Sequence, residues 1–174
     1  MVAATTITLA DNVEYTKPSA NSYNSSTPVK RNEHFYKQFS NIAAKFISEL
    51  FNTHSHSLYR IQSFILNILQ RTQIEPLVVL SSLVLLCRLK LMLPGVQGTC
   101  SERLFLASII LCCKTQSDRT YSNLSWCLVS KFNLMEVNKM ERELFKYLMY
   151  NTIVNKKDLI CILSYLNGLH LLIY

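Results

Sequence analysis

The sequence predicts an all-α domain behind an unstructured N-terminal arm, and three observations carry that prediction. Only 3 of the 174 residues are glycine. No stretch alternates cleanly at period two, whereas from residue 33 onward apolar residues recur at three- and four-residue spacing, the period of a helix face. Composition also shifts near residue 32. Residues 1–31 are rich in Ser, Thr, Asn and Ala, with Pro18 and Pro28 and few large apolar groups, so the segment cannot repay its ordering entropy and is expected to be disordered.

The helices follow in order from their faces and caps. Phe35, Phe39, Ile42, Phe46 and Leu50 define a first helix over about 33–51. The polar break Asn52–Ser57 separates it from a second, about 57–71. Pro76 suits the first turn of a third, about 75–91. Residues 94–98, PGVQG, form a loop, and Thr99 with Glu102 makes a capping-box pattern opening a fourth. Within that helix, residues 104–113 (LFLASIILCC) are apolar on every side apart from Ser108, which predicts a buried central helix. A short helix around Trp126 follows. Asn133 and Glu136 then start a helix over about 134–150 with Val137, Met140, Leu144 and Leu148 facing inward. A last helix, about 156–172, starts after Asn155 and carries Gly168 near its end. The expected architecture is five core helices with one flanking helix at each end.

Charge and cysteine usage narrow the function classes. The formal charge is +7, but the 18 Lys and Arg are scattered singly or in pairs such as Lys30-Arg31 and Lys156-Lys157, a solvated surface rather than a nucleic-acid footprint. The six cysteines (87, 100, 112, 113, 127 and 161) show no CxxC spacing and sit mostly in apolar runs, so they read as reduced thiols of an intracellular protein of nucleus or cytoplasm. No targeting signal is visible at the N-terminus. The run at 76–93 is interrupted by Arg88 and Lys90, and the apolar stretch at 159–174 reads as a packing helix before a tail anchor.

Chemistry-bearing constellations are few. His54 and His56 stand in a loop with no acid or cysteine nearby, short of the three or four convergent ligands a metal needs. Gly95 and Gly98 have GxxG spacing without flanking strands or basic loop residues, and read as a turn. No phosphate-binding glycine motif occurs, and the 11 acids look like helix caps and solvated faces. An enzyme is therefore not expected. Cys112 and Cys113 invite a redox reading, but adjacent helical residues point about 100° apart, and both fit an all-round apolar helix. Lys114 is the odder residue, emerging where the buried helix ends. It either caps that helix's own carbonyls or donates to the backbone of a partner, since an ammonium has three donors and no acceptor.

Residues 114–148 resemble the cyclin box, and more narrowly the PCL cyclins of fungi. The matching features are Leu106-Ala107-Ser108 with Lys114, then Ser117-Asp118, Asn123, Trp126, Phe132, and the run from Leu134 through Glu136-Val137-Asn138 to Met140-Glu141. Upstream, residues 57–69 resemble the first box helix and 78–94 the second, so the resemblance spans about residues 57–158. It implies a disordered arm (1–31), a flanking helix and loop (32–56), a five-helix cyclin box (57–154) and a C-terminal helix (155–174). It also implies a non-catalytic subunit that binds and activates a cyclin-dependent kinase of the phosphate-regulation type and influences its choice of substrate. No cofactor, metal or small-molecule substrate is implied, and neither nucleic acid nor membrane is an expected partner. In cyclins, the lysine ending the central helix and a glutamate of the fifth box helix hold the kinase's regulatory helix; here these are Lys114 and Glu141. Leu111, Phe145 and Tyr150 fall where cyclins offer that helix an apolar shelf.

Some positions depart from the pattern. Cys87 stands where many cyclins have Asp or Asn opposite a first-helix arginine, which leaves Arg60 without that partner. Cys112 and Cys113 replace residues that are commonly small. A second cyclin repeat is not expected, and the substrate-docking sequence of many cell-cycle cyclins is missing. Thr27-Pro28-Val29-Lys30 matches a cyclin-dependent kinase site, making Thr27 an expected phosphorylation site, checked by mass spectrometry after incubation with kinase and ATP. The alternative function class is a cyclin-fold transcription or nucleic-acid adaptor, which would show steeply salt-dependent DNA binding.

Overall fold

The computed structural model describes residues 29–53, 58–95, 100–118 and 120–169. Thr27, His54, His56, Gly98 and Thr99 lie outside them. The described residues form seven helices: α1 (Val29–Leu50), α2 (Leu58–Thr72), α3 (Pro76–Met92), α4 (Ser101–Gln116), α5 (Asn123–Ser130), α6 (Leu134–Tyr147) and α7 (Lys156–Gly168). No strand occurs among the described residues. Helices α2 to α6 make the five-helix unit, and α1 and α7 flank it, as the sequence predicts.

Helix α4 is the axis of the packing. Every residue from Phe105 to Cys113 is buried, and the helix lies against α3 and α6 while also touching α1 and α2. A helix with no wet face needs neighbours on all sides, which the other elements supply. The polar Ser108 at its centre is satisfied within the helix, its hydroxyl donating to the Phe105 carbonyl at 2.9 Å. Outside this core α1 runs along α2, α7 along α3, and the short α5 bridges α2 and α6. Trp126 of α5 is buried, and its ring meets Tyr121 edge-on, while the Tyr121 hydroxyl donates to the Thr72 carbonyl at 2.9 Å.

The caps explain most boundaries. Pro76 occupies the first turn of α3. Asn133 and Glu136 form a reciprocal capping box at α6, and Asn155 and Asp158 do the same at α7. Helix α1 starts at Val29, four residues earlier than its apolar face suggested.

The N-cap of α4 is Cys100, with no side-chain cap, and Thr99, the first half of the expected Thr99–Glu102 capping box, lies outside the described residues. Glu102 accepts from Arg60 of α2 at 2.6 Å. Arg60, with Cys87 where many cyclins place its acidic partner, takes a carboxylate from α4 instead. Arg88, beside Cys87, serves elsewhere: it donates to the Ile153 carbonyl and to Asp158 Oδ2, both at 2.9 Å, and so ties the approach to α7 onto α3.

Candidate functional site

The site begins where α4 reaches solvent. Lys114 is the first exposed residue after nine consecutive buried ones. Local groups serve the carbonyls of that last turn: the Thr115 hydroxyl donates to Leu111 O at 2.9 Å and the Ser117 N–H to Cys113 O at 3.1 Å. Lys114 does not cap its own helix. Its ammonium crosses to α6 and donates to Glu141 Oε1 at 2.6 Å, 27 residues away.

Glu141 is placed by the register of α6. The capping box fixes the first turn, and Val137, Met140, Leu144 and Leu148 face the core. Glu141 and Phe145, four residues apart, lie together on the flank beside α5 and the end of α4. A second donor reaches the carboxylate from α5: Asn123 Nδ2 lies 2.6 Å from Glu141 Oε2 and 2.6 Å from Asn138 Oδ1. Three helices thus converge on one carboxylate. Exposed ion pairs contribute little to stability, but this side chain is only 15% exposed and each of its oxygens accepts a charge-assisted bond.

The apolar residues beside the pair form by a different route. Helix α6 ends in a Schellman turn, with Tyr150 N–H donating to Phe145 O and Met149 N–H to Lys146 O, each at 2.9 Å. Met149 takes the left-handed position at φ 50°. The hydrophobic contact that accompanies such a turn is here Phe145 against Tyr150, ring centroids 5.0 Å apart and edge-to-face. Phe145 is half-buried and Tyr150 is 65% exposed. Leu111, one turn before Lys114, is only 5% exposed and belongs to the hydrophobic core rather than to an exposed shelf.

The cysteines are spectators of this geometry. Burial pushes the Cys112 thiol far above its ordinary value, helped by the neighbouring Cys113, and raises Cys113 to about 12. Thiols held neutral in this way are poor nucleophiles. Among the described residues no cluster of His, Cys, Asp and Glu could hold a metal ion, and no helix is long and apolar enough to cross a membrane.

The structure therefore brings Lys114 against Glu141 and Phe145 against Tyr150, with Glu141 and Phe145 one turn apart on α6, and leaves Leu111 in the core. Sequence reasoning did not assign Asn123 and Asn138 to the site. One signal was available: asparagine is a weak helix former, so Asn138 in the middle of a helix calls for a reason.

A buried central helix packed among the others of an all-α domain is the fold that the cyclin-box resemblance implied. The cyclin family model matches residues 3–152, and the chain belongs to the cyclin family. Its relatives include three proteins of Saccharomyces cerevisiae. PHO85 cyclin-9 is 34% identical over 60% of this chain and 36% of its own length. PHO85 cyclin-2 is 30% identical over 58% and 34%, and PHO85 cyclin-1 is 32% identical over 62% and 40%. The match is thus to PCL-type cyclins, and it spans between about a third and two fifths of the length of these curated relatives. No solved structure gives a significant match.

Proposed function

We propose that this cyclin is the regulatory subunit of a cyclin-dependent kinase of the PHO85 kind, and that it activates the kinase through the surface around Lys114 and Glu141. The observation that carries the reading is the Lys114–Glu141 pair at 2.6 Å, set where α4 leaves its buried run Phe105–Cys113 and bordered by Phe145 and exposed Tyr150. The relatives' names support the choice of kinase.

The chemistry suits a backbone ligand. One N–H of the Lys114 ammonium goes to Glu141, and two remain to donate to carbonyls. The Glu141 carboxylate has about four lone-pair sites, two of them in use, and the others accept backbone N–H groups. A helix seated there lays apolar side chains on Phe145 and Tyr150 while its backbone is gripped at two points. Held inward, the kinase's regulatory helix places its glutamate against the lysine that orients ATP, which completes the active site.

The test is the affinity and activity of the purified cyclin–kinase complex with Lys114→Ala, Glu141→Ala and both together. Charge-assisted hydrogen bonds are worth about 1.5–3 kcal/mol, so each single variant is expected to bind roughly 10- to 100-fold more weakly. A folded double variant that binds and activates as well as the parent would sink the proposal.

A further inference from the structure

The amide of Asn123 raises a question that the fold alone does not answer. Its Nδ2 serves two acceptors at 2.6 Å, Glu141 Oε2 and Asn138 Oδ1, while its own Oδ1 is buried and accepts no hydrogen bond among the described residues. Turning the amide over would bring Oδ1 against two oxygens, so the network fixes its orientation. A buried acceptor left unmade is a cost in stability, and such exceptions concentrate where function sets the geometry.

The rest of the residue is held firmly enough to act on Glu141. Asn123 opens α5, whose first turn is fixed by the Ser122 hydroxyl accepting from Ser125 N–H at 3.2 Å. The Cys127 thiol donates to the Asn123 carbonyl at 3.0 Å, and the buried Trp126 anchors the same short helix. Asn123 therefore delivers one donor from a fixed point to the oxygen of Glu141 that faces away from Lys114.

We infer that Asn123 is a positioning residue of the kinase-binding site: it turns the Glu141 carboxylate so that one oxygen meets Lys114 and the open lone pairs of both oxygens face the groove. This rests on the proposed kinase-binding role of Glu141 and assigns Asn123 no contact with the kinase. A carboxylate held by a donor at each oxygen is pre-organised, and a partner that binds it need not order it first.

The experiment compares kinase affinity for the full chain carrying Asn123→Ala, Asn123→Asp, Glu141→Ala and the two double variants of position 123 with Glu141→Ala, with thermal melting of each. Asn123→Ala is expected to weaken binding about tenfold, the effect of one hydrogen bond to a charged group. Asn123→Asp keeps the shape but removes the donor and sets a second carboxylate against Glu141, so it is expected to bind more weakly than Asn123→Ala. Either change in the Glu141→Ala background is expected to alter affinity less than twofold, because residues in one network are not additive. A packing role gives the opposite order, with Asp tolerated better than Ala. That order, or full additivity with Glu141→Ala, overturns the inference. If Glu141→Ala binds weakly and the position-123 variants bind normally, Asn123 is not a positioning residue although the kinase reading stands. If Glu141→Ala binds normally, the kinase reading itself fails and takes the inference with it. Should Asn123→Asp not fold, Asn123→Ser, whose hydroxyl is too short to reach both acceptors, is expected to behave as Asn123→Ala does.

Discussion

At the scale of single residues, Lys114 and Glu141 pose a choice between structure and recognition, because a cross-helix ion pair satisfies both. Exchanging the two charges separates them. Lys114→Glu with Glu141→Lys keeps opposite charges face to face but sets an ammonium against the Asn123 donor, so the melting temperature is expected to fall by no more than about 10 °C, the cost of that one bond. Kinase binding is expected to fall by at least tenfold, because donors and acceptors have traded ends against a backbone whose polarity is fixed. A swapped protein that melts within that range and binds normally would show that only the intramolecular pair matters. The sequence made Lys114 conspicuous because a charge closes a wholly apolar run, and the resemblance supplied Glu141. It did not reveal Asn123 as their companion, since a hydrogen bond between residues 18 positions apart depends on how α5 meets α6.

At the scale of elements, local rules account for what was legible. The Asn133–Glu136 box is contained within four residues, and so could be read from them. The partner of Glu102 is not legible in this way, because Arg60, which donates to its carboxylate, lies 42 residues away in the sequence. The apolar face of α6 predicts an end at about 150, whereas the helix ends at Tyr147, because the left-handed position of the turn is held by Met149 and no glycine announces it. That position makes a prediction. Met149 is 70% exposed, and a non-glycine residue with positive φ is strained, so Met149→Gly is expected to raise stability by about 0.5–1 kcal/mol. Thermal melting should rise by roughly 1–4 °C with the Phe145–Tyr150 contact retained. A lower melting temperature would mean that the methionine side chain contributes more than the strain removes.

For the whole molecule, the fold class and the central place of α4 were legible because burial on every side is written in composition alone. The role of Arg88 was not. In the sequence it merely interrupts an apolar run, and its task of tying residues 153–158 to α3 exists only after folding. The core also sets an alkaline limit to stability. Burial raises the Cys113 thiol from an ordinary value of 9.0 to about 12 and Cys87 to about 11, with Cys112 shifted the same way. Above pH 9 the unfolded chain loses these protons while the folded one keeps them, so stability falls as pH rises from 9 toward 12 and is unaffected by these groups below 9. The slope is on the order of 1 kcal/mol per pH unit for each of the buried thiols Cys112 and Cys113, and denaturant titrations between pH 8 and 11 should show it flattened in a Cys112→Ala, Cys113→Ala variant. An unchanged slope would count against buried neutral thiols.

The burial of α4 has one more consequence, in the time domain. Amide protons of a helix enclosed on every side exchange with solvent only when the domain opens as a unit, whereas α7, with much of its surface wet, is free to open alone. Lys114 stands one residue beyond the stretch expected to exchange most slowly among the described residues, so the anchor point proposed for a kinase is expected to keep its place while the periphery opens.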